Sequence, residues 1–149
     1  MPEIQIYTHQ TFPSDLNWQA VSFTRIVWPE IGGGMLRQMF DTKQDTMHGV
    51  LVEDGLLLSY AAVVRFQLQH ADQYYRACGL TSVFSYPTSR KKGYGQQVVH
   101  AATNFNRRSG ADIGILLTGS ELEQFYAKSG WEAMTNAPLI GVSGVVLQE

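Results

Sequence analysis

The 149-residue sequence predicts an α+β domain built on a mixed, mostly antiparallel central sheet. Three observations predict it. Two apolar segments, residues 47–53 and 56–68, flank Asp54-Gly55, a dipeptide suited to a tight hairpin because both positions tolerate left-handed backbone. A third extended segment, residues 74–85, follows the turn at His70-Ala71-Asp72 and makes the centre of the chain a three-strand meander ending at Pro87. After Pro87 the apolar period changes, and helix, strand, helix and strand follow one another, an order that calls for a mixed sheet.

The elements follow in chain order. Ile4, Ile6 and Tyr7 make a short first strand. Pro13-Ser14-Asp15 supplies a helix start, and Leu16, Ala20, Phe23 and Val27 recur at helical spacing until Trp28-Pro29 stops them. Gly32-Gly33-Gly34 breaks the chain, and residues 35–40 read as a short helix. Beyond the meander, Val98, Ala101, Ala102 and Phe105 stand at i, i+3, i+4 and i+7. That helix runs from about Tyr94 to Ser109-Gly110, with Arg107 and Arg108 near its negative end. Residues 113–117 are a short buried strand. Ser120-Glu121-Leu122-Glu123 has the form of a capping box, Leu122, Phe125 and Tyr126 share a face, and Gly130 closes what reads as the clearest helix of the chain. A final strand or pair closes the sequence, with residues 140–147 as its clearer member.

Composition bounds the function. A chain 44% hydrophobic with no linker or repeat is expected to form one domain over residues 1–149. Its 11 Lys plus Arg against 13 Asp plus Glu leave a formal charge of -2, so no global field draws nucleic acid or an anionic membrane, and any anion site must be local. A lone Cys78, expected in the core, permits no internal disulfide, and no Cys/His cluster has zinc spacing. With no leader and no apolar run near the ~20 residues of a membrane span, the expectation is a cytoplasmic protein without metal.

The local anion site has a candidate in Ser89-Arg90-Lys91-Lys92-Gly93-Tyr94-Gly95-Gln96-Gln97, between the last meander strand and a helix. First-turn N–H groups have no internal acceptor and the helix dipole adds positive charge there. Gly93 and Gly95 let backbone approach an oxygen-rich group, while Arg90, Lys91 and Lys92 add charge around it. A diphosphate fits this chemistry, and so does a solvated basic turn. The dinucleotide fingerprint lacks its third glycine, and the Gly-Lys-Ser/Thr of a P-loop is absent.

Arg90-x-x-Gly93-x-Gly95, after a strand and before a helix, resembles the acyl-coenzyme A signature of the GNAT superfamily of N-acetyltransferases. Phe125-Tyr126-Ala127-Lys128-Ser129-Gly130-Trp131, about 30 residues on, is similar to that superfamily's second motif. The resemblance implies an acyl-CoA N-acyltransferase fold of six to seven strands flanked by about four helices. Residues 48–50, 60–64 and 76–79 further resemble aminoglycoside 2'-N-acetyltransferases, although the chain ends soon after its last strand, without room for an extended C-terminal substrate region.

The resemblance implies direct transfer of acetyl from acetyl-CoA to a primary amine, expected to belong to a small molecule. Val83, Phe84 and Ser85 would offer backbone groups to the pantetheine arm, with an N–H near Phe84 as oxyanion donor. The segment Arg90, Lys91, Lys92, Gly93, Tyr94, Gly95 and Gln96 would hold the pyrophosphate, the glycines mattering more than the charges. Tyr126 would be the general acid towards the departing thiolate. Many relatives place a carboxylate base where this chain has Thr81. Glu53, His48, His70 and His9 remain as bases, each expected at a surface or turn, and His100 is expected to be structural. Trp18, Trp28 and Phe40 are candidates for an acceptor pocket, with the core as their ordinary alternative. The missing carboxylate also fits an acyl-CoA-binding module without turnover, and peptide N-acetylation is a third reading. The apolar final strand suits pairing across a homodimer interface.

Overall fold

A computed structural model describes residues 1–31, 36–40 and 44–134, together with the backbone of two short strands beyond them. Strand β1 (Glu3–Thr8) leads to helix α1 (Ser14–Val27). The meander follows as β2 (Asp45–Glu53), β3 (Leu56–His70) and β4 (Gln73–Ser85). Helix α2 (Tyr94–Arg108), β5 (Ile113–Leu116) and helix α3 (Glu123–Ala127) come next, and β6 (Leu139–Ile140) and β7 (Val146–Leu147) end the sequence of elements.

Five strands form one sheet in the order β1-β2-β3-β4-β5, antiparallel throughout except for the parallel β4–β5 pair. The expected six to seven strands are thus corrected: β6 and β7 pair with each other in a separate ladder. Three α-helices occur among the described residues rather than about four, because residues 36–40 form bends instead of the expected helix; Met35 lies outside the described residues, as do 141–145 of the expected last strand. No helix among the described residues is long and apolar enough to cross a membrane.

The turns behave as their residues dictate. Asp54 and Gly55 both have positive φ (51° and 77°), the combination that matches the twist of a two-residue hairpin. Gln19 of α1 clamps that turn, its amide donating to Gly55 O and its carbonyl accepting from Leu57 N–H. The second hairpin turns at Ala71 and Asp72, also left-handed.

Alternation along the strands gives the sheet two buried faces. Leu16, Ala20 and Phe23 of α1 pack on Val50, Tyr60, Ala62 and Phe84 on one face. Val98, Val99 and Ala102 of α2 pack on Met47, Ala61, Val63 and Leu80 on the other, with Cys78 buried among them. Val27, expected on the buried stripe of α1, is exposed because the helix ends there. Neither α1 nor α3 uses the side-chain cap that its start suggested. The capping-box segment is a 3-10 turn (Ser120–Leu122) leading into a five-residue helix, and Leu122 is exposed, so this element is shorter and wetter than its pattern indicated. β5 is likewise a half-exposed edge rather than a buried strand.

Candidate active site

The donor side of the site begins where β4 loses its neighbour. β5 pairs with β4 only from Ala77 to Leu80, and β5 ends at Leu116. From Thr81 to Ser85, β4 keeps β3 on one side and has no β5 partner on the other, which leaves a splayed edge of backbone donors and acceptors. The register also shifts here: Tyr60 faces Phe84 while Ala62 faces Thr81, so Ser82 and Val83 stand opposite the single Ala61. Ser82 takes positive φ (55°) to make this bulge, a placement that costs about 1 kcal/mol or more for a non-glycine residue. Ser59 steadies the bulge, its hydroxyl donating to Phe84 O at 3.0 Å and bonding the Ser85 hydroxyl at 2.8 Å.

The basic loop crosses directly over the splayed end. Pro87–Ser89 form a 3-10 turn, and Arg90 Nε donates back to Ser85 O. Lys91 and Gly93 are both left-handed, with φ of 63° and 77°. Gly93 is the N-cap of α2, without any side-chain cap, and the ladder begins only when Gln97 N–H bonds Gly93 O. The N–H groups of Tyr94, Gly95 and Gln96 therefore point out of the helix end unanswered. Among the described residues, none of Arg90, Lys91 and Lys92 has a carboxylate partner.

The two glycines act differently. Gly93 has open space around it and is needed for its backbone angle. Gly95 has an ordinary φ, but a Cβ there would lie 3.2 Å from Ser85 Oγ and 3.6 Å from the Phe125 ring. It allows α2, the end of β4 and α3 to converge. Gln96 locks this junction by donating to Ser129 Oγ at 2.8 Å, and Arg107 donates to Ser129 O. Trp131 spans from α3 to α2, its indole N–H bonding Thr103 Oγ1 at 2.9 Å. The Phe125-to-Trp131 segment is thus the brace that fixes the loop as well as the carrier of Tyr126.

Tyr126 is buried on the α2 face, in the cluster against which Val83 packs, and its hydroxyl has no hydrogen-bond partner among the described residues. Burial raises its pKa above the ordinary 10.0, so the phenol stays protonated at neutral pH and has a proton to donate.

On the α1 face the candidate bases separate. Thr81 is exposed, as are His70 at the end of β3 and His100 on α2, where His100 lines a shallow groove of about 430 Å³ with Ile4, Ile6 and Gln97. Glu53 pairs with the N-terminal ammonium at 3.3 Å. His48 is the exception and corrects the expectation of a surface position: it lies within β2, fully buried. Its Nδ1 is 2.7 Å from the Tyr60 hydroxyl and its Nε2 is 3.0 Å from His9 Nδ1, while Phe12 stacks on the ring at 4.1 Å. Burial first, and the neighbouring His9 second, lower its pKa to about 4, so the ring is neutral near pH 7. The signal for its burial was present in the apolar run around it, Met47 to Val52. Nothing in the sequence pointed to Tyr60 as its partner. Of the aromatic candidates, Phe40 lies 6.0 Å from His48, Trp28 packs edge-on against Phe23, and Trp18 is exposed beside Arg25.

The site is thus an α+β arrangement in which β4 and β5 part after Leu80 and an uncapped helix start lies beside the gap. Residues 20–134 match the family model of the GNAT acetyltransferase domain, and the chain belongs to that family. Among solved structures it is similar to an acyl-CoA N-acyltransferase from Pseudomonas aeruginosa (TM-score 0.69, 19% identity, 95% of this chain and 93% of the other). It is also similar to ElaA of Escherichia coli (0.68, 17%, 87% and 86%). A third is a predicted acetyltransferase from Clostridium acetobutylicum, solved with acetyl-CoA (0.65, 14%, 96% and 97%). At these identities the likeness shows the fold. A search of curated proteins finds no sequence match.

Proposed function

We propose that this protein is an N-acetyltransferase that moves an acetyl group directly from acetyl-CoA to a primary amine of a small molecule. The observation that carries the reading is the splayed β4 edge at Thr81–Ser85 lying beside the uncapped start of α2. An extended amide-bearing arm fits the edge as an added strand, through Val83, Phe84 and Ser85. A diphosphate fits the free N–H groups of Tyr94, Gly95 and Gln96, with Arg90, Lys91 and Lys92 around it and Gly93 and Gly95 shaping the cradle. The close space at Gly95, which a side chain would fill, supports this fit.

Acetyl-CoA supplies a thioester-activated acetyl group when bound. The chain itself has three tasks. It holds donor and acceptor in reacting geometry, which the rigid edge and loop provide. Backbone N–H groups at the Ser82–Val83 bulge, next to Phe84, face developing negative charge on the acyl oxygen. Tyr126 keeps a proton that the departing sulfur can take.

Isothermal titration of the purified protein with acetyl-CoA tests this: saturable binding and an upward thermal shift are expected, and the absence of both refutes it. The exposed Thr81 favours a second reading, a binding module without turnover. A panel of spermidine, tyramine, kanamycin and a short peptide, followed by free-thiol release, separates the readings. Peptide-only activity would move the acceptor class to protein N-termini.

A further inference from the structure

The α1 face of the sheet has two halves. Helix α1 packs on Val50, Tyr60, Ala62 and Phe84, and among the described residues neither buried cluster takes in Val64, Phe66, Ile113 or Ile115. Beyond Ala62 the register is regular: Ala62 faces Thr81, Val64 faces Gly79 and Phe66 faces Ala77, while β5 sets Ile115 beside Gly79 and Ile113 beside Ala77. Alternation turns these residues away from Cys78 and Leu80, which pack under α2. They form an apolar floor that is open to solvent, with Phe66 and Ile113 each 41% exposed.

Charge is sorted off this floor. Arg65 and Arg76 are the charged residues of β3 and β4, and both take the opposite face, Arg65 over the Phe105 ring at 5.6 Å and Arg76 beside Gly110 at the end of α2. Asp112, just before β5, is held by Arg76. The titratable group on the floor side is His70, at the distant hairpin end of β3. From Ala62 onwards, no carboxylate or ammonium stands on this face at the paired positions of β3, β4 and β5.

One contact gives the floor a direction. A Cβ on Gly79 would lie 3.3 Å from Phe66 Cε1, so the Phe66 ring leans along the sheet from Ala77 over Gly79, towards Thr81. The exposed Thr81 is the next residue of β4 on this face, about 6.6 Å further on. The proposed donor cradle and Tyr126 lie on the α2 side, which leaves the α1 face, at Thr81, for an incoming amine.

We infer that the acceptor is a primary amine carried on a neutral aromatic or branched aliphatic body, which rests on Phe66, Gly79 and Ile115 with its nitrogen at Thr81. This rests on the acetyltransferase reading above and narrows it. The bare Gly79 keeps the floor flat, and Phe66 offers a ring to pack against. The floor runs into the transfer site through the single step from Gly79 to Thr81, which favours a substrate as its occupant. A polycation would hold its further ammonium groups over apolar surface without a carboxylate to answer them.

Acetylation followed by free-thiol release should give tyramine a kcat/KM at least about 10-fold above spermidine and kanamycin. Phe66→Glu, at a site exposed enough to accept a charge, should raise the tyramine KM by about 10-fold with kcat nearly unchanged and narrow the gap to spermidine. Phe66→Leu should stay within a few-fold of wild type. In ¹⁵N-labelled protein holding CoA, which has no acetyl group to transfer, tyramine should shift the amides of Gly79, Thr81 and Ile115 and leave those of β1 in place. Preference for spermidine, kanamycin or the peptide, or tyramine shifts confined to other residues, overturns the inference and leaves the transferase reading standing. Unchanged tyramine kinetics in Phe66→Glu also overturn it: a dimer dissociated by the substitution would make the floor an interface between copies, and a lowered melting temperature alone would make Phe66 a packing residue. Acetyl-CoA binding without turnover of any amine refutes the transferase reading, and the acceptor inference with it.

Discussion

The two faces of the sheet solve different problems with different materials. On the α2 face, the proposed donor region is built largely from backbone: a splayed strand edge, a bulge, an uncapped helix end and two glycines, with the buried Tyr126 on the same face. On the α1 face, the region beside Thr81 is built from side chains, with aromatic rings enclosing a His-His-Tyr chain. Backbone recognition suits an invariant cofactor, because N–H groups at a strand edge or helix end are fixed by the fold itself. A buried side-chain chain fixes the tautomers of its members instead, because each buried donor needs an acceptor.

This contrast can be broken from either side. The largest effect belongs to the close packing at Gly95. Gly95→Val, whose Cβ alone would sit 3.2 Å from Ser85 Oγ, should wedge α2 from β4 and abolish acetyl-CoA binding by calorimetry, while circular dichroism shows a retained fold. Retained affinity in that variant would place the cradle elsewhere.

On the other face, the buried neutral His48 makes stability pH-dependent. Its folded pKa of about 4 lies below the ordinary value of 6.5, so the unfolded chain takes up the proton first. Its contribution is present above pH 6.5 and is lost as pH falls from 6.5 towards 4, by about 3 kcal/mol in all. Denaturant midpoints measured across that window should fall in the wild type and fall less in His48→Gln.

Tyr126→Phe sharpens the division of labour: kcat should drop about 100-fold with acetyl-CoA affinity nearly unchanged, since only the proton is removed. An equal loss of affinity would make Tyr126 a packing residue. The smallest effect is Lys91→Ala, expected to weaken acetyl-CoA by only a few-fold and to lose that difference at about 1 M salt, because an exposed charge is screened.

Much of the fold around the proposed donor side was legible beforehand. Hairpin, meander and α2 were recorded locally, in Asp54-Gly55, in strand alternation and in the spacing of Val98, Ala102 and Phe105. The loop Arg90–Gln96 and Tyr126 could be singled out because their motifs are contiguous. Their convergence at Gly95, the brace from Gln96 to Ser129 and the anchoring of Trp131 on Thr103 were not, since the last two join residues 33 and 28 apart and the first brings in Phe125 from another helix. The short α3 also misled: its capping box lacked enough following apolar contacts to hold a full helix, and Leu122 stayed in water.

By itself, then, the sequence determined which residue types could meet an anion and which segments were strand or helix, because hydrophobic period, turn residues and helix ends act over a few positions. Only the tertiary structure decided that β4 and β5 part after Leu80, that Gly95 serves by proximity, and that His48 is interior rather than superficial. Those outcomes depend on register across five strands. Register joins His9, His48 and Tyr60, or Phe84 and Tyr60, through pairings that no local pattern records.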